Sequence, residues 1–103
     1  MTSSAAPLAA PFRALGDPTR LAILRLLKAR GRSCCELVGR EEPGLCACDI
    51  QTALRMAPSV VNHHMDALVR SGLVESEKRG RWMYYRRNET AISALARTLA
   101  RDV

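Results

Sequence analysis

Residues 44–72, GLCACDIQTALRMAPSVVNHHMDALVRSG, carry the strongest local patterns of this chain. Near their start, three apolar side chains repeat at helical spacing: Ile50, Ala53 and Leu54. They predict a short helix from about Asp49, followed by a turn at residues 55–58. Pro58 suits the first position of a second helix, and Gly72 suits the position after its end. The stretch therefore predicts two helices that are joined by a tight turn.

The second of these helices, predicted over residues 58–71, has two different faces. One arc is mainly apolar and consists of Val61, His64, Met65, Leu68 and Val69. The opposite arc is polar and consists of Ser59, Asn62, His63 and Asp66. An apolar arc packs against a core while a polar arc stays in solvent. Two short helices, a tight turn and an outward polar stripe are typical of a helix-turn-helix.

Residues 73–87 predict a β-hairpin directly after the second helix. Alternating side chains indicate strands over residues 73–77 and 82–87, with Gly80 in the turn between them. Residues 78–87 contain five basic residues and no acidic one, together with three of the four aromatic residues. A hairpin in this place is a wing, so we expect a mainly α-helical winged helix-turn-helix.

The segment before residue 30 predicts two further helices. Residues 1–10 are rich in Ala, Ser and Pro and are expected to be frayed or weakly helical, with a short helix ending at Gly16. Asp17 and Pro18 form a strong start for a helix that runs to about Ala29. Five apolar side chains cover most of this helix: Leu21, Ile23, Leu24, Leu26 and Leu27. We therefore expect it to be the centre of the core.

Residues 30–45 predict a loop, because glycine and proline interrupt every regular pattern. Cys34 and Cys35 lie in this loop. The last predicted helix, residues 89–101, carries an apolar stripe of Ile92, Leu95 and Leu99. No later element can cover that stripe within what we expect to be a single domain over residues 1–103, so we expect a homodimer.

Composition restricts the function classes. The 103 residues carry a net charge of +6, which favours an anionic partner, nucleic acid first and an acidic membrane surface second. A run of 18 apolar residues and a signal peptide are both lacking, so we expect no membrane role and a cytoplasmic location. In that compartment thiols stay reduced. Four cysteines within 15 residues then indicate a metal site before a disulfide framework: Cys34, Cys35, Cys46 and Cys48.

Thiolates are the soft ligands that soft metal ions select. Residues i and i+2 do not face each other on a continuous helix, so Cys46 and Cys48 can share an ion only if Cys46 precedes or caps the helix. Three alternatives remain open. Cys46 and Cys48 can be buried apolar residues, Cys34 and Cys35 can be bystanders or redox thiols, and all four can hold a structural zinc ion.

The predicted DNA-contacting residues lie on the second helix and the wing. Ser59, Val60, Asn62 and His63 suit a helix whose N-terminal half faces base edges in the major groove. Lys78, Arg79 and Arg81 at the wing tip suit contacts with phosphate or the minor groove. The alternative for the basic residues is a solvated hairpin without a partner.

Three pieces of the chain resemble the ArsR/SmtB family of winged-helix metal-responsive repressors. They are LGDPTRLAIL at residues 15–24, LCACDI at residues 45–50, and SGLV at residues 71–74 followed by RGRWMYYR at residues 79–86. The second piece resembles the C-x-C-D-[LI] box of the arsenical-resistance repressors. The resemblance implies a homodimer that binds double-stranded operator DNA and leaves it when arsenite As(III) or antimonite Sb(III) binds.

The chain departs from the arsenic-sensing pattern at two points. Gln51 stands where a third cysteine often lies, and the loop before the box is longer and carries Cys34 and Cys35. We therefore expect Cys34 or Cys35 to supply the third thiolate beside Cys46 and Cys48. A repressor responsive to cadmium or lead, Cd(II) or Pb(II), and a zinc-stabilised DNA-binding module without sensing are the alternatives. An enzyme built on Cys34 and Cys35 is disfavoured, because the chain lacks a C-x-x-C motif and a phosphate loop.

Overall fold

In the computed structural model, the described residues are 2–29 and 44–102. Within them the chain forms, in order, α1 (Thr2–Leu15), α2 (Pro18–Ala29), β1 (Leu45–Cys46), α3 (Ala47–Leu54), α4 (Pro58–Arg70), β2 (Val74–Arg79), β3 (Trp82–Arg87) and α5 (Glu89–Asp102). The helix pair α3 and α4 with the hairpin that follows confirms the predicted winged helix-turn-helix. Cys34 and Cys35 lie outside the described residues.

Helix α2 begins where the sequence predicts, because Asp17 caps it. The backbone N–H groups of Thr19 and Arg20 donate to Asp17 Oδ1 at 2.7 and 3.4 Å. Desolvation opposes the ionised carboxylate, but these hydrogen bonds outweigh it and hold the pKa of Asp17 below its ordinary value. Helix α1 is longer than predicted, since it begins at Thr2 and includes residues that we expected to be frayed.

The core lies between the helices and the inner face of the sheet. Its fully buried side chains include Ile23, Leu45, Ile50, Val61, Met65, Leu68 and Tyr84. The apolar arc predicted for α4 is therefore confirmed. On α2 the prediction is wrong for Leu21, which is 43% exposed. Leu21 shares an arc with the exposed Arg25 and Lys28, because residues four and seven apart lie on one face of a helix.

The sheet has three antiparallel strands in the order β1-β3-β2, rather than the two predicted. Leu45 pairs with Tyr85 and Cys46 with Tyr84, so the assignment of residue 45 to a loop is wrong. The approach is close at Gly44, where φ is +134° and an added Cβ would lie 1.9 Å from the carbonyl oxygen of Tyr85. Only glycine fits there without movement of one strand.

The wing and the last helix follow the predicted order with shifted ends. Strands β2 and β3 are joined by a two-residue turn in which Gly80 has φ +61°. Asn88 then caps α5, accepting a hydrogen bond from the Ala91 N–H at 3.1 Å. The stripe on α5 is only partly covered within the described chain: Ile92 packs against the core, whereas Leu99 is 47% exposed.

Candidate thiolate site and nucleic-acid interface

Cys46 and Cys48 come together at the start of α3. Cys46 is the N-cap residue with extended backbone angles, φ −68° and ψ 151°, as the sequence argument requires. Its Sγ accepts a hydrogen bond from the Cys48 N–H at 3.4 Å and lies 2.9 Å from the Cys48 Sγ. Neither forms a disulfide within the described residues. Cys46 is 2% exposed and Cys48 is half-buried, so the pair is reachable from solvent at one sulfur.

Asp49 completes this helix start, a role that the sequence analysis missed. Its Oδ2 accepts a hydrogen bond from the Cys46 N–H at 3.2 Å, which makes a reciprocal capping box with Cys46 in the place of the usual serine. Asp49 is 6% exposed, so its charge lies beside the sulfurs in a largely dry place. The spacing of a capping residue and an acid three positions later could have revealed it.

Strand β1 joins the cysteine pair to the wing. Cys46 packs against the fully buried Tyr84 of β3, with Cys48 at the edge of the same cluster. Burial raises the pKa of the neighbouring Tyr85, and the charges of Asp66 and Cys46 raise it further. Tyr85 thus lies within electrostatic reach of both the sulfur site and helix α4. Strand β1 places Cys46 in direct backbone pairing with β3.

The described residues supply two of the sulfurs that a soft ion would bind. Among them, no group of three or more His, Cys, Asp or Glu side chains is placed to hold a metal ion. Two thiols at the observed spacing fit the chemistry of a thiophilic ion, because one such ion can bind both. A third sulfur would have to come from Cys34 or Cys35.

Helix α4 presents its polar arc to solvent. Ser59, Val60, Asn62 and His63 are all exposed, and Val60 is 42% exposed. Asp66 lies farther along the same arc and is also exposed. Ser59, Val60, Asn62 and His63 occupy the first two turns of α4, which is the part of a recognition helix that meets base edges.

The wing tip holds the three predicted cations in different environments. Lys78 and Arg81 are exposed, and the Arg81 guanidinium lies 5.2 Å from the centre of the Trp82 ring. Arg79 instead pairs with Glu77 through Nε at 2.8 Å. The hydrogen bond from Arg79, although desolvation opposes it, holds the pKa of Glu77 below its ordinary value. Arg79 is thus held in an ion pair, while Lys78 and Arg81 are better placed for phosphate.

No helix in the part of the chain that the structure describes is long and apolar enough to cross a bilayer.

A family model described as "Helix-turn-helix domain" matches residues 15–77. The HTH-type transcriptional regulator YbzH of Bacillus subtilis is 34% identical over 94 residues, 89% of this chain and 94% of that protein. The arsenical resistance operon repressor of Escherichia coli is 36% identical over 73% of this chain and 54% of its own length. The cadmium resistance regulatory protein CadC of Listeria innocua is 31% identical over 72% of this chain and 52% of its own length.

Solved structures agree with these relatives. An ArsR-like transcriptional regulator from Rhodococcus has a TM-score of 0.73 and 34% identity, with 96% of this chain and 81% of that one covered. A homodimeric winged helix-turn-helix domain from Mycobacterium bovis, a possible ArsR-family regulator, has a TM-score of 0.71 and 26% identity over the same shares of the two chains. The chain belongs to the ArsR/SmtB family of winged helix-turn-helix transcriptional repressors, which bind DNA and are not enzymes.

Proposed function

We propose that this repressor senses a trivalent metalloid, arsenite or antimonite, through cysteine thiolates and then leaves its operator. The observation that carries the proposal is the sulfur pair of Cys46 and Cys48, 2.9 Å apart at the cap of the first helix of the helix-turn-helix. An arsenical resistance operon repressor among the relatives supports the choice of ion.

Binding of the metalloid to the thiols requires no oxidant. Three cysteine thiols react with arsenous acid, As(OH)₃, forming three As–S bonds, and the three hydroxyl groups leave as water with the thiol protons. Arsenic stays trivalent. Cys46 and Cys48 provide two of these sulfurs, and Cys34 or Cys35 provides the third.

Two connections lead from the sulfurs to the DNA-contacting surface. Helix α3 packs on α4, and β1 pairs with β3 of the wing. An ion that draws Cys46 towards a third thiolate therefore shifts both DNA-contacting elements of one subunit. Release requires tighter binding of the ion to the DNA-free form, and a coupling of about 1–3 kcal/mol is the usual range.

The DNA partner is a double-stranded operator with two half-sites, and the active form is a homodimer. The partly uncovered stripe on α5 and the homodimeric relative support this arrangement. Two copies of α4 would then meet successive major grooves on one side of the duplex. Operator DNA also implies a cytoplasmic location.

The test measures operator affinity by fluorescence anisotropy with and without arsenite, for the wild type, Cys46→Ser and Cys48→Ser. We expect all three to bind DNA, and only the wild type to be released. Thr52→Ser on the exposed side of α3 is the matched control and should be released normally. Release of both cysteine variants by arsenite would refute the proposal.

Separate Cys34→Ser and Cys35→Ser variants identify the third ligand. Loss of release in one of them alone assigns the thiolate to that position. Unchanged release in both, and in the double variant, would show that two sulfurs suffice.

The second candidate is a repressor responsive to cadmium or lead, which the cadmium-resistance relative favours. These ions can use four thiolates, whereas trivalent arsenic uses three. Ultraviolet titration of the sulfur-to-metal absorption, with each ion in turn, gives the stoichiometry. Release by cadmium at lower concentration than by arsenite would favour this candidate over the first.

A further inference from the structure

A basic cleft lies between α1, α2 and α4, away from the cysteines. Its volume is about 210 Å³. One arginine from each of the three helices lines it, and we call it the arginine cleft: Arg13, Arg20 and Arg70. Small residues form the rest of the lining: Ala10, Ala14, Ala67 and Ser71. Most of the lining surface is apolar, and the three arginines supply its charged groups.

The charge of the arginine cleft is only partly compensated within the described residues. The ion pairs found there are in the wing and at the start of α5, and none includes Arg13, Arg20 or Arg70. Asp17 interacts electrostatically with Arg20, and its Oδ1 also accepts backbone hydrogen bonds from the N terminus of α2. One carboxylate beside three cations leaves an excess of positive charge, and an anion among them would reduce their repulsion.

One of the three guanidinium groups is held in place by α4. Arg20 Nε donates to His64 Nδ1 at 3.2 Å, and both side chains are half-buried. This hydrogen bond fixes the plane of the Arg20 fork and does not use its two Nη groups. Because a planar guanidinium fork matches two oxygens of one oxyanion, a fixed fork lowers the entropy cost of binding.

We propose that the arginine cleft binds a compact phosphate-like dianion. The volume is below that of pockets for drug-sized ligands, which hold about 300–1,000 Å³, so a small anion fits better than a nucleotide. A backbone phosphate of the operator is the competing occupant. Arg70 lies about 16 Å along α4 from Ser59, at the end opposite the predicted base-reading turns, and this position favours the free anion.

The bound dianion would connect the three helices that line the cleft. It would raise the free energy of unfolding and hold α1 against the C-terminal end of α4. The repressor would then have an input that is separate from its cysteines.

The experiment titrates the full chain with inorganic phosphate at constant ionic strength, with chloride as the balancing ion, by calorimetry and thermal unfolding. We expect saturable binding and a rise in Tm for the wild type. The Arg13→Gln/Arg70→Gln double variant should bind at least 10-fold more weakly. Arg25→Gln/Arg97→Gln removes the same charge from exposed positions outside the cleft and should bind like the wild type.

A third variant controls for possible misfolding of the Arg13→Gln/Arg70→Gln protein. Arg13→Lys/Arg70→Lys keeps the charge but loses the forks, and should show an intermediate affinity with an unchanged Tm in chloride. Equal phosphate binding by the cleft and control doubles would overturn the proposal. A second pair of results would also overturn the proposal: the wild type does not bind phosphate, and the Arg13→Gln/Arg70→Gln variant shows a smaller salt dependence of operator affinity. The cleft would then contact DNA.

Discussion

At the scale of single residues, Cys46 has three structural roles at once. It caps α3, pairs with Tyr84 in the sheet and contacts the second sulfur. A serine could replace the capping hydrogen bond but not the affinity for a soft ion. This separation of roles explains why we expect Cys46→Ser to keep the fold and lose the response.

Gly44→Ala should loosen β1 from β3. The added Cβ would overlap the Tyr85 carbonyl oxygen, so one strand must move. We expect a loss of about 1–3 kcal/mol in the free energy of unfolding. We also expect a weaker arsenite response, although the variant keeps all its cysteines. Chemical denaturation and operator release measure the two effects. Gly72→Ala, where an added Cβ meets nothing within 4 Å but φ is +86°, is the control for backbone strain alone.

Asp17→Asn tests the capping charge of α2 through pH. A carboxylate whose folded pKa is lowered adds stability above its unfolded pKa of about 3.9, and this stability is lost as pH falls through the folded pKa. Asparagine still caps but does not titrate. We expect the wild type to be more stable than the variant at pH 6, and the difference to shrink as pH falls below the unfolded pKa of about 3.9. A difference independent of pH would contradict this assignment.

At the scale of elements, the local patterns predicted the hairpin and each helix found in residues 2–29 and 44–102, but not β1. Asp17, Pro58 and Gly72 are strong end signals that act within a few residues of themselves. A two-residue strand has no period to detect, and its partner β3 lies about forty residues later in the chain. The link between the sulfur site and the wing was therefore out of reach of sequence patterns.

One side chain was predicted wrongly, and one tertiary contact was not predicted. Leu21 is apolar by composition, yet the arc it occupies on α2 faces solvent. The hydrogen bond from Arg20 to His64 joins residues 44 positions apart, so no local spacing announces it. The exposed polar face of α4 was predictable, because the spacing of polar residues within the helix is enough to locate it.

The wing prediction concerns salt dependence. Replacing Lys78 or Arg81 with Gln should reduce the slope of log K against log salt for operator binding by about 0.9 per lost phosphate contact. Arg79→Gln should have a smaller effect, because Arg79 is paired with Glu77. Arg97→Gln on the exposed side of α5 is the control. Equal slopes for all four variants and the wild type would remove the wing from the interface.

At the scale of the whole molecule, the described residues form a buried core but leave the apolar stripe of α5 partly exposed. None of the side chains of α5 is buried in the single chain. A symmetric dimer would bury the stripe of Ile92, Leu95 and Leu99 against its copy. It would also place two α4 helices on one side of the dimer. The net charge of +6 on each chain would attract DNA.

Leu99→Glu should therefore produce monomers. Two carboxylates in an apolar interface are costly, so we expect half the mass in sedimentation equilibrium and much weaker operator binding. Thr90→Glu lies on the opposite, exposed arc of α5 and should stay dimeric. A dimer of unchanged strength in the Leu99 variant would show that α5 is not the contact.

The unequal burial of the two sulfurs has a consequence for labelling chemistry. A thiol that is 2% exposed reacts slowly with an alkylating reagent, while its half-buried neighbour reacts first. Mass spectrometry after a short pulse of iodoacetamide would therefore tag Cys48 before Cys46, and an ion that occupies the pair would protect both. Protection of both thiols from the label in a cell extract would then report that an ion occupies the pair.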